Sequence, residues 1–130
     1  EIAQCLVGSE MCIRDRFLSS ANAMTSDGIL VNIDGNSNRV SCIAQGPKKV
    51  IFIVGMNKVC SDLDSAMKRA RNIAAPTNAQ NFDVKTPCKT TGKCFDCKSP
   101  DTLCCQFLIT RYSRHVGRIH VILVNDTLGY

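Results

Sequence analysis

The stretch Val50-Ile51-Phe52-Ile53-Val54 decides the fold. It is a continuous apolar run, preceded by a turn at residues 46–49 and followed by a loop at residues 55–58. Short apolar runs bounded by turn residues are typical of strands that are covered on both faces, as in parallel sheets with helices on either side. The run therefore predicts a strand buried on both faces of a parallel sheet.

A helix is predicted to follow this strand. Five apolar residues recur at helical spacing and give one apolar stripe toward the sheet: Leu63, Ala66, Met67, Ala70 and Ile73. Ser61 is predicted to cap the first turn, with Asp64 as the acidic half of a capping box. Pro76 is predicted to stop or kink the helix.

Strands are predicted on both sides of this strand–helix unit. Residues 29–33 and 39–44 are predicted to pair as a β-hairpin around a Gly- and Asn-rich turn at residues 34–38. Residues 107–110 predict a further strand, and residues 119–124 another buried one. The order of elements indicates an α/β domain with a short antiparallel attachment.

Composition excludes several classes of protein. The chain has 130 residues, of which 45% are apolar and 21% charged, and this predicts one globular domain. The net charge of +5 is spread along the chain without interleaved aromatics, so no nucleic-acid partner is expected. No apolar run approaches the ~20 residues that span a bilayer, so no membrane partner is expected. Nine cysteines without a secretory-type leader predict a cytoplasmic protein.

The first sixteen residues differ from the rest of the chain. They show no clean helical or strand period, and the segment from Cys5 to Arg16 resembles a translated adaptor sequence. We therefore predict that residues 1–16 are a foreign leader and that residues 17–130 form the domain. Cys5 and Cys12 are accordingly excluded from chemical reasoning. The alternative is a genuine N-terminal helix.

A cysteine-rich insert is predicted at residues 77–105, which is too long for a plain connector and needs its own organiser. Cys42 and Cys60, by contrast, occur singly in apolar surroundings and are predicted to be core thiols. The insert has the spacing C-x5-C-x2-C-x6-C-C, formed by Cys88, Cys94, Cys97, Cys104 and Cys105. Thiols this crowded are typical of a ligand set for a soft metal or an iron–sulfur cluster.

The predicted ligand set has four members: Cys88, Cys94, Cys97 and either Cys104 or Cys105. Adjacent residues in an extended chain point to opposite sides, so only one of the last two is expected to bind. We favour Cys104, with Cys105 as the alternative. A redox-active dithiol and thiols that only staple the loop remain open. The spacing does not separate an iron–sulfur cluster from zinc.

Several segments carry a family resemblance, namely residues 20–28, 31–40, 46–50, 71–79, 86–105 and 117–129. Together they resemble the LUD-domain (lactate utilisation) family, in its subgroup of small stand-alone proteins with a cysteine-rich insert. The resemblance covers residues 17–130. It corresponds to the carboxyl-terminal part of that family, so we expect a partial LUD domain.

The resemblance implies both a fold and a metabolic setting. The implied fold is a partial three-layer α/β sandwich similar to the sugar-isomerase and CoA-transferase folds. The implied setting is the use of lactate or related organic acids, with iron–sulfur or oxidoreductase proteins as partners and a small organic acid as substrate. This setting moves an iron–sulfur cluster slightly ahead of zinc. Whether the protein is an enzyme stays open, because the resemblance supplies no mechanism and fold kinship is only analogy.

Two loops are candidates for substrate contact. Asn22, Thr25 and Gly28 belong to a small-residue turn that is expected to line a pocket beside the sheet. The neighbouring Asp27 loosely echoes the acidic nucleophile of CoA-transferases, and this motivates the alternative of a transferase or isomerase acting on a small anionic substrate.

The second loop follows the central strand at its carboxyl end, where open α/β sheets bind ligands. Asn57 and Lys58 in this loop are predicted to contact an anionic substrate. Asn78, just beyond Pro76, is a further candidate.

Overall fold

The computed structural model describes residues 16–130. Most of the predicted leader, including Cys5 and Cys12, lies outside these residues, and Arg16 begins the first strand. Among residues 16–130, no helix is both long and apolar enough to cross a bilayer.

Seven strands and four short α-helices make up the described chain. The strands are β1 (Arg16–Ser19), β2 (Ala23–Thr25), β3 (Leu30–Asp34), β4 (Lys49–Gly55), β5 (Val59–Cys60), β6 (Gln106–Thr110) and β7 (Ile119–Val124). The helices are α1 (Asn38–Ala44), α2 (Leu63–Arg69), α3 (Ala75–Ala79) and α4 (Pro87–Thr91), with a π-helical segment at Ala70–Ala74 and a 3₁₀ turn at Met56–Lys58. The α/β class predicted from the sequence is confirmed.

The strands form two sheets. The parallel sheet has the order β1-β4-β7, with β4 in the centre and both pairings parallel. The mixed sheet has the order β5-β2-β3-β6, in which β3 pairs antiparallel with both of its neighbours. The predicted parallel pairing of the strand at residues 50–54 is therefore confirmed.

Two hydrophobic clusters hold these layers together. The first lies between the two sheets and includes Phe17, Leu30 and Phe52, with Cys42 packed against it. The second lies between the mixed sheet and the α2 region, and Cys60 packs against it: its members are Ala23, Val31, Ile33, Ala66 and Ala70. Both single cysteines are half-buried and pack against the core, in line with the predicted core position.

Residues 50–54 and 119–124 lie in strands, as predicted. The prediction that these strands are buried on both faces is wrong. In β4, Val50, Phe52 and Val54 are fully buried, but Ile53 on the opposite face is 42% exposed. In β7, at the edge of the sheet, Ile122 is 51% exposed. Apolar side chains on the outer face of the parallel sheet are therefore only partly covered by the described residues. An apolar run indicates strand structure but does not show what covers it.

The predicted hairpin between residues 29–33 and 39–44 is also wrong, because residues 38–44 form helix α1. The Asp34 carboxylate accepts hydrogen bonds from the backbone N–H groups of Arg39 at 2.8 Å and Val40 at 3.3 Å, which fixes the first turn. Val40 and Ile43, three residues apart, are both buried. The observed hairpin joins β2 to β3, one strand earlier.

Helix α2 begins and ends differently from the prediction. Asp62, and not Ser61, caps it by accepting a hydrogen bond from Ser65 N at 2.8 Å. The chain then stays helical through Pro76, because the π-helical segment shifts the hydrogen-bond pattern before the proline, which has no N–H to donate. Ile73, predicted to lie on the buried stripe, is 52% exposed.

The capping role of Asp34 is testable. Asp34→Ala leaves the first N–H groups of α1 without their acceptor, and we expect the free energy of unfolding to fall by about 2 kcal/mol. Asp64→Ala is the matched control, because Asp64 is an exposed carboxylate paired only with Lys68 at 2.8 Å, and its loss should cost less than about 0.5 kcal/mol. Urea unfolding of both variants measures the difference. Equal losses would contradict the capping role.

Candidate functional site

The cysteine-rich insert is anchored at both ends to the α/β domain. Cys88 lies in helix α4, which begins at Pro87 and ends at a left-handed Gly92 with φ of 76°. The insert then returns to the mixed sheet, where Cys105 N donates to Asp34 O at 3.0 Å and continues the pairing of β3 with β6. The cysteines therefore lie beside a sheet edge that is fixed by long-range hydrogen bonds.

Four of the five insert cysteines border one small cavity. The cavity has a volume of about 30 Å³, and its sulfur-bearing residues are Cys88, Cys94, Cys97 and Cys104. Cys105 is exposed and does not line it, and its thiol points to Thr102 O at 3.7 Å. The four cysteines that border the cavity are the four that were favoured as ligands from the sequence, and they include Cys104 but not the alternative Cys105.

The Cys94-x-x-Cys97 loop is shaped around the first sulfur. Asp96 adopts a left-handed conformation with φ of 53°, and its backbone N–H donates to Cys94 Sγ at 3.4 Å. The thiol of Cys97 donates to Thr102 Oγ1 at 3.4 Å. These hydrogen bonds hold the backbone of the loop around the Cys94 sulfur.

Arg71 adds positive charge to this cavity. Its Nη2 lies 3.6 Å from Cys94 Sγ and 2.8 Å from Asp96 Oδ1, and its guanidinium lies 5.9 Å from the centre of the Phe107 ring. The hydrogen bond and charge of Cys94 raise the pKa of Arg71, with smaller contributions from Asp96 and Cys104. Sequence reasoning did not single out Arg71, which lies in the π-helical segment after α2.

Cys104 is the most perturbed thiol of the cluster. Burial, with further contributions from the nearby charges of Cys94, Cys88 and Cys97, raises its pKa to about 11. This repulsion is the expected consequence of gathering several thiols in one place without a positive ion between them.

The donor set fits a metal, although the sulfurs are not yet arranged around a common point. Within residues 16–130, no three side chains of His, Cys, Asp or Glu meet the geometry of a metal-binding group. The four thiols nevertheless border a common cavity, and side-chain rotation would be needed to close them around one ion. Thiolates are the ligands that zinc and iron prefer in sites of this type.

A second and larger cavity collects part of the predicted substrate site. It has a volume of about 470 Å³ and is bordered by Asn22, Lys58 and Asn78, three of the six residues named for substrate contact. Cys104 borders both this cavity and the smaller one. The two candidate sites therefore share a wall.

The remaining predicted substrate residues lie elsewhere. Thr25, Asp27 and Gly28 belong to the β2–β3 hairpin turn, where the Thr25 hydroxyl donates to the Asp27 carboxylate. Asn57 binds the backbone near the carboxyl end of the chain, accepting from Leu128 N at 3.1 Å and donating to Gly129 O at 3.3 Å. None of these four residues borders the larger cavity.

Sequence reasoning missed two charged residues of the larger cavity, Asp34 and Arg39. Both were missed because the predicted hairpin placed residues 34–38 in a turn and Arg39 at the start of a strand. Asp34 accepts from N–H groups five and six residues later, whereas an ordinary N-cap residue accepts two or three residues later, so the sequence carried no capping signal for Asp34.

The pKa of Cys104 predicts a slow alkylation rate. In metal-free protein at pH 7.5, Cys104 should react with iodoacetamide more slowly than the exposed Cys105, because a thiol with a pKa of about 11 is almost fully protonated there. Its rate should rise as the pH is raised toward 11. Peptide mapping by mass spectrometry measures both rates. Faster labelling of Cys104 than of Cys105 at pH 7.5 would contradict this environment.

Comparison with known proteins gives one match. The sequence model of the LUD domain matches residues 10–124. No curated protein and no solved structure matches the chain.

Proposed function

This chain belongs to the LUD-domain family, and from that premise we propose that its cysteine insert is a metal centre of a protein that acts in organic-acid utilisation. The LUD domain is associated with lactate utilisation proteins. The proposed ligands are the thiolates of Cys88, Cys94, Cys97 and Cys104.

One observation carries the proposal: these four cysteines come from separate places in the insert and border the same cavity, whereas the neighbouring Cys105 does not. Cysteines that only filled space would have no reason to converge. Four half-buried cysteines around one cavity are the donor set of a tetrahedral thiolate site, which would form once their side chains turn toward a common point.

The size of the cavity favours a single metal ion over a multi-iron cluster. A volume of about 30 Å³ is close to the space of two or three water molecules, since about 10–15 Å³ is enough for one. The iron–sulfur cluster implied by the family resemblance would need the insert to open further. We therefore propose one zinc or iron ion, with a cluster as the second candidate.

The surroundings would offset the charge of such a site. Four thiolates around a divalent ion carry a net charge of −2, and Arg71 already lies 3.6 Å from Cys94 Sγ. Asp96 N also donates to this sulfur at 3.4 Å. Positive groups and N–H donors next to coordinating sulfurs stabilise the charged form and tune the centre.

The cellular role follows from the family and the thiols together. A zinc ion would hold the insert in place, and an iron ion or cluster would in addition exchange electrons. We propose that the protein works in the cytoplasm, where clustered thiols stay reduced, next to oxidoreductase or iron–sulfur partner proteins and with a small organic acid as its substrate.

The competing interpretations use the same residues differently. If the thiols only staple the loop, the protein would be a non-catalytic partner subunit without metal. The transferase or isomerase alternative would use Asp27 as its nucleophile, but Asp27 lies in the exposed hairpin turn and away from the larger cavity. The metal centre is better supported, because its residues converge.

The adjacent cysteines supply a matched test. Protein purified without oxygen should contain about one zinc or iron per chain by metal analysis. Cys104→Ser should lose most of this metal, and Cys105→Ser should keep it, because only the first side chain borders the cavity. A colourless metalloprotein would indicate zinc, and visible absorption would indicate iron or a cluster.

Two outcomes would reject the metal centre. The first is folded wild-type protein that is free of metal after reconstitution with zinc and with iron. The second is equal metal content in Cys104→Ser and Cys105→Ser. A content of about four irons with bound sulfide would replace the single ion with a cluster.

A further inference from the structure

The larger cavity brings a buried lysine to a space that a small molecule can fill. Its volume of about 470 Å³ falls within the range of about 300–1,000 Å³ that small-molecule pockets occupy. Lys58 borders this cavity, and its exposed fraction is only 6%. Because Lys58 is not one of the proposed metal ligands, the cavity contains a reactive group that the metal centre does not use.

The backbone holds Lys58 at a fixed place. Lys58 is the last residue of the 3₁₀ turn Met56–Lys58, which joins β4 of the parallel sheet to β5 of the mixed sheet. The turn therefore lies at the carboxyl end of the central parallel strand, where open α/β sheets bind ligands. Since both flanking strands belong to sheets, the position of this side chain is set more precisely than on a long loop.

The hydrogen-bond partner of the Lys58 amine is a neutral hydroxyl group. Its Nζ donates to Ser20 Oγ at 3.0 Å. Ser20 is held in place by the fully buried Asn32, whose side-chain amide donates to Ser20 O at 3.0 Å. Among residues 16–130, no carboxylate, including that of the last residue Tyr130, lies within salt-bridge distance of Lys58 Nζ. No opposite charge of this part of the chain therefore holds the amine in its protonated form.

The cations around Lys58 act against its protonation. Burial lowers the pKa of Lys58, and the charges of Arg69 from α2 and Arg39 from α1 lower it further. Arg69 is fixed beside the cavity, since its guanidinium donates to the backbone carbonyls of Asn22 at 2.7 Å and Asn57 at 3.0 Å. The positive charge near Lys58 is therefore part of the fold.

The other titratable groups of the cavity wall have partners of their own. The Asp34 carboxylate caps helix α1 by accepting from Arg39 N at 2.8 Å. The Tyr130 hydroxyl accepts a hydrogen bond from the side-chain amide of Asn81. Cys104 lies at the wall that the larger cavity shares with the smaller one. None of these groups forms a hydrogen bond with Lys58 Nζ, whose partner is Ser20.

A buried amine next to other cations is the arrangement of a nucleophilic lysine. Near neutral pH an exposed lysine is almost entirely protonated, and only the neutral amine has a lone pair for attack. Each unit by which the pKa of a lysine falls raises its neutral fraction about tenfold. Lysines of this kind form imines with carbonyl compounds.

We propose that Lys58 is a nucleophile that forms an imine with a small ketone or aldehyde bound in the larger cavity. The lone pair of Nζ attacks the carbonyl carbon, and the π electrons of the C=O bond move to the oxygen. The two hydrogens of the amine pass to this oxygen, which leaves as water when the C=N bond forms. The step needs no oxidant or reductant. It goes beyond the proposed metal centre, because it uses none of the four cysteines.

The loop after β1 supplies polar groups for this step. The Ser20 hydroxyl, which accepts from Lys58 Nζ, is placed to pass a proton from the nitrogen toward the carbonyl oxygen. Asn22 also borders the cavity, and its side-chain oxygen accepts from Ile33 N at 2.8 Å, so its NH₂ group is left as a donor at the wall. A donor of this kind stabilises the negative charge that develops on a carbonyl oxygen under attack.

Reductive trapping on the full chain tests the proposal. The protein is incubated at pH 7 with sodium cyanoborohydride and either dihydroxyacetone or glycolaldehyde, so that hydride addition to the imine carbon leaves a stable secondary amine. Peptide mapping by mass spectrometry gives the labelling rate of each lysine. We expect Lys58 to be labelled at least about tenfold faster than the exposed Lys48 with at least one probe. A Lys58 rate that does not exceed the Lys48 rate with either probe would overturn the proposal.

The pH dependence of trapping tests the electrostatic cause. The rate at Lys58 should reach half its maximum at a lower pH than the rates at exposed lysines, because its pKa is lowered. Arg69→Gln removes a positive charge and should move this midpoint to higher pH, whereas the matched Arg69→Lys keeps the charge and should leave it near that of wild type. Equal midpoints in the two variants would contradict the proposal. Arg39→Gln and Arg39→Lys give the same comparison if the Arg69 variants do not fold.

Metal analysis of the same samples keeps the two proposals apart. Fast labelling of Lys58 in protein that holds no metal supports the imine and leaves the metal centre to its own variants. Metal-loaded protein in which Lys58 is labelled no faster than Lys48 overturns the imine alone.

Discussion

The pairing of β3 with β6 is the constraint on which both candidate sites depend. β6 follows the cysteine insert, and its register with β3 runs from Leu30 opposite Thr110 to Asp34 opposite Gln106. One residue further, Cys105 N donates to Asp34 O. This ladder ends the insert at a fixed point and leaves Cys104 where the two cavities meet.

The same junction is packed closely. A Cβ added at Gly35 would lie 3.3 Å from Leu103 O, so the backbone of the insert approaches β3 at a residue without a side chain. Cys104 also packs against the cluster between the mixed sheet and α2. Because packed interiors deform little, this close packing holds Cys104 at a fixed position relative to the mixed sheet.

Two arginines near the end of α2 contact different candidate sites. Arg69, the last residue of α2, donates to backbone carbonyls beside the larger cavity. Arg71, in the π-helical segment, contacts Cys94 beside the smaller one. Residues two apart on a helix point in nearly opposite directions, so one stretch of chain supplies positive charge to both sites.

The two sites have opposite electrostatic needs. Burial and the neighbouring thiols raise the pKa of Cys104, which a cation beside it would offset, while burial lowers the pKa of Lys58, which an anion beside it would offset. Local conflicts of this kind are expected at functional sites, where binding and not stability determines the residues.

Local patterns predicted the parts of the structure that local physics controls. The apolar run at residues 50–54, the helical spacing after Leu63 and the cysteine spacing each describe an observed feature. Strand alternation predicted that only one of the adjacent Cys104 and Cys105 would face a common site, and only Cys104 borders the cavity.

Long-range contacts decided the rest. Whether residues 39–44 form a strand or helix α1 depends on Asp34, which caps the helix from outside it. The exposure of β7 depends on its place at the edge of the sheet, which no local pattern encodes. The larger cavity joins residues separated by more than a hundred positions, from Ser20 to Tyr130, and only the folded chain brings them together.

X-ray absorption spectroscopy at the edge of the bound metal tests the central claim most directly. If Cys88, Cys94, Cys97 and Cys104 hold one ion, the first coordination shell should contain four sulfurs at about 2.3 Å and no neighbouring metal atom. A shell of nitrogen and oxygen, or of two sulfurs only, would contradict the proposed centre.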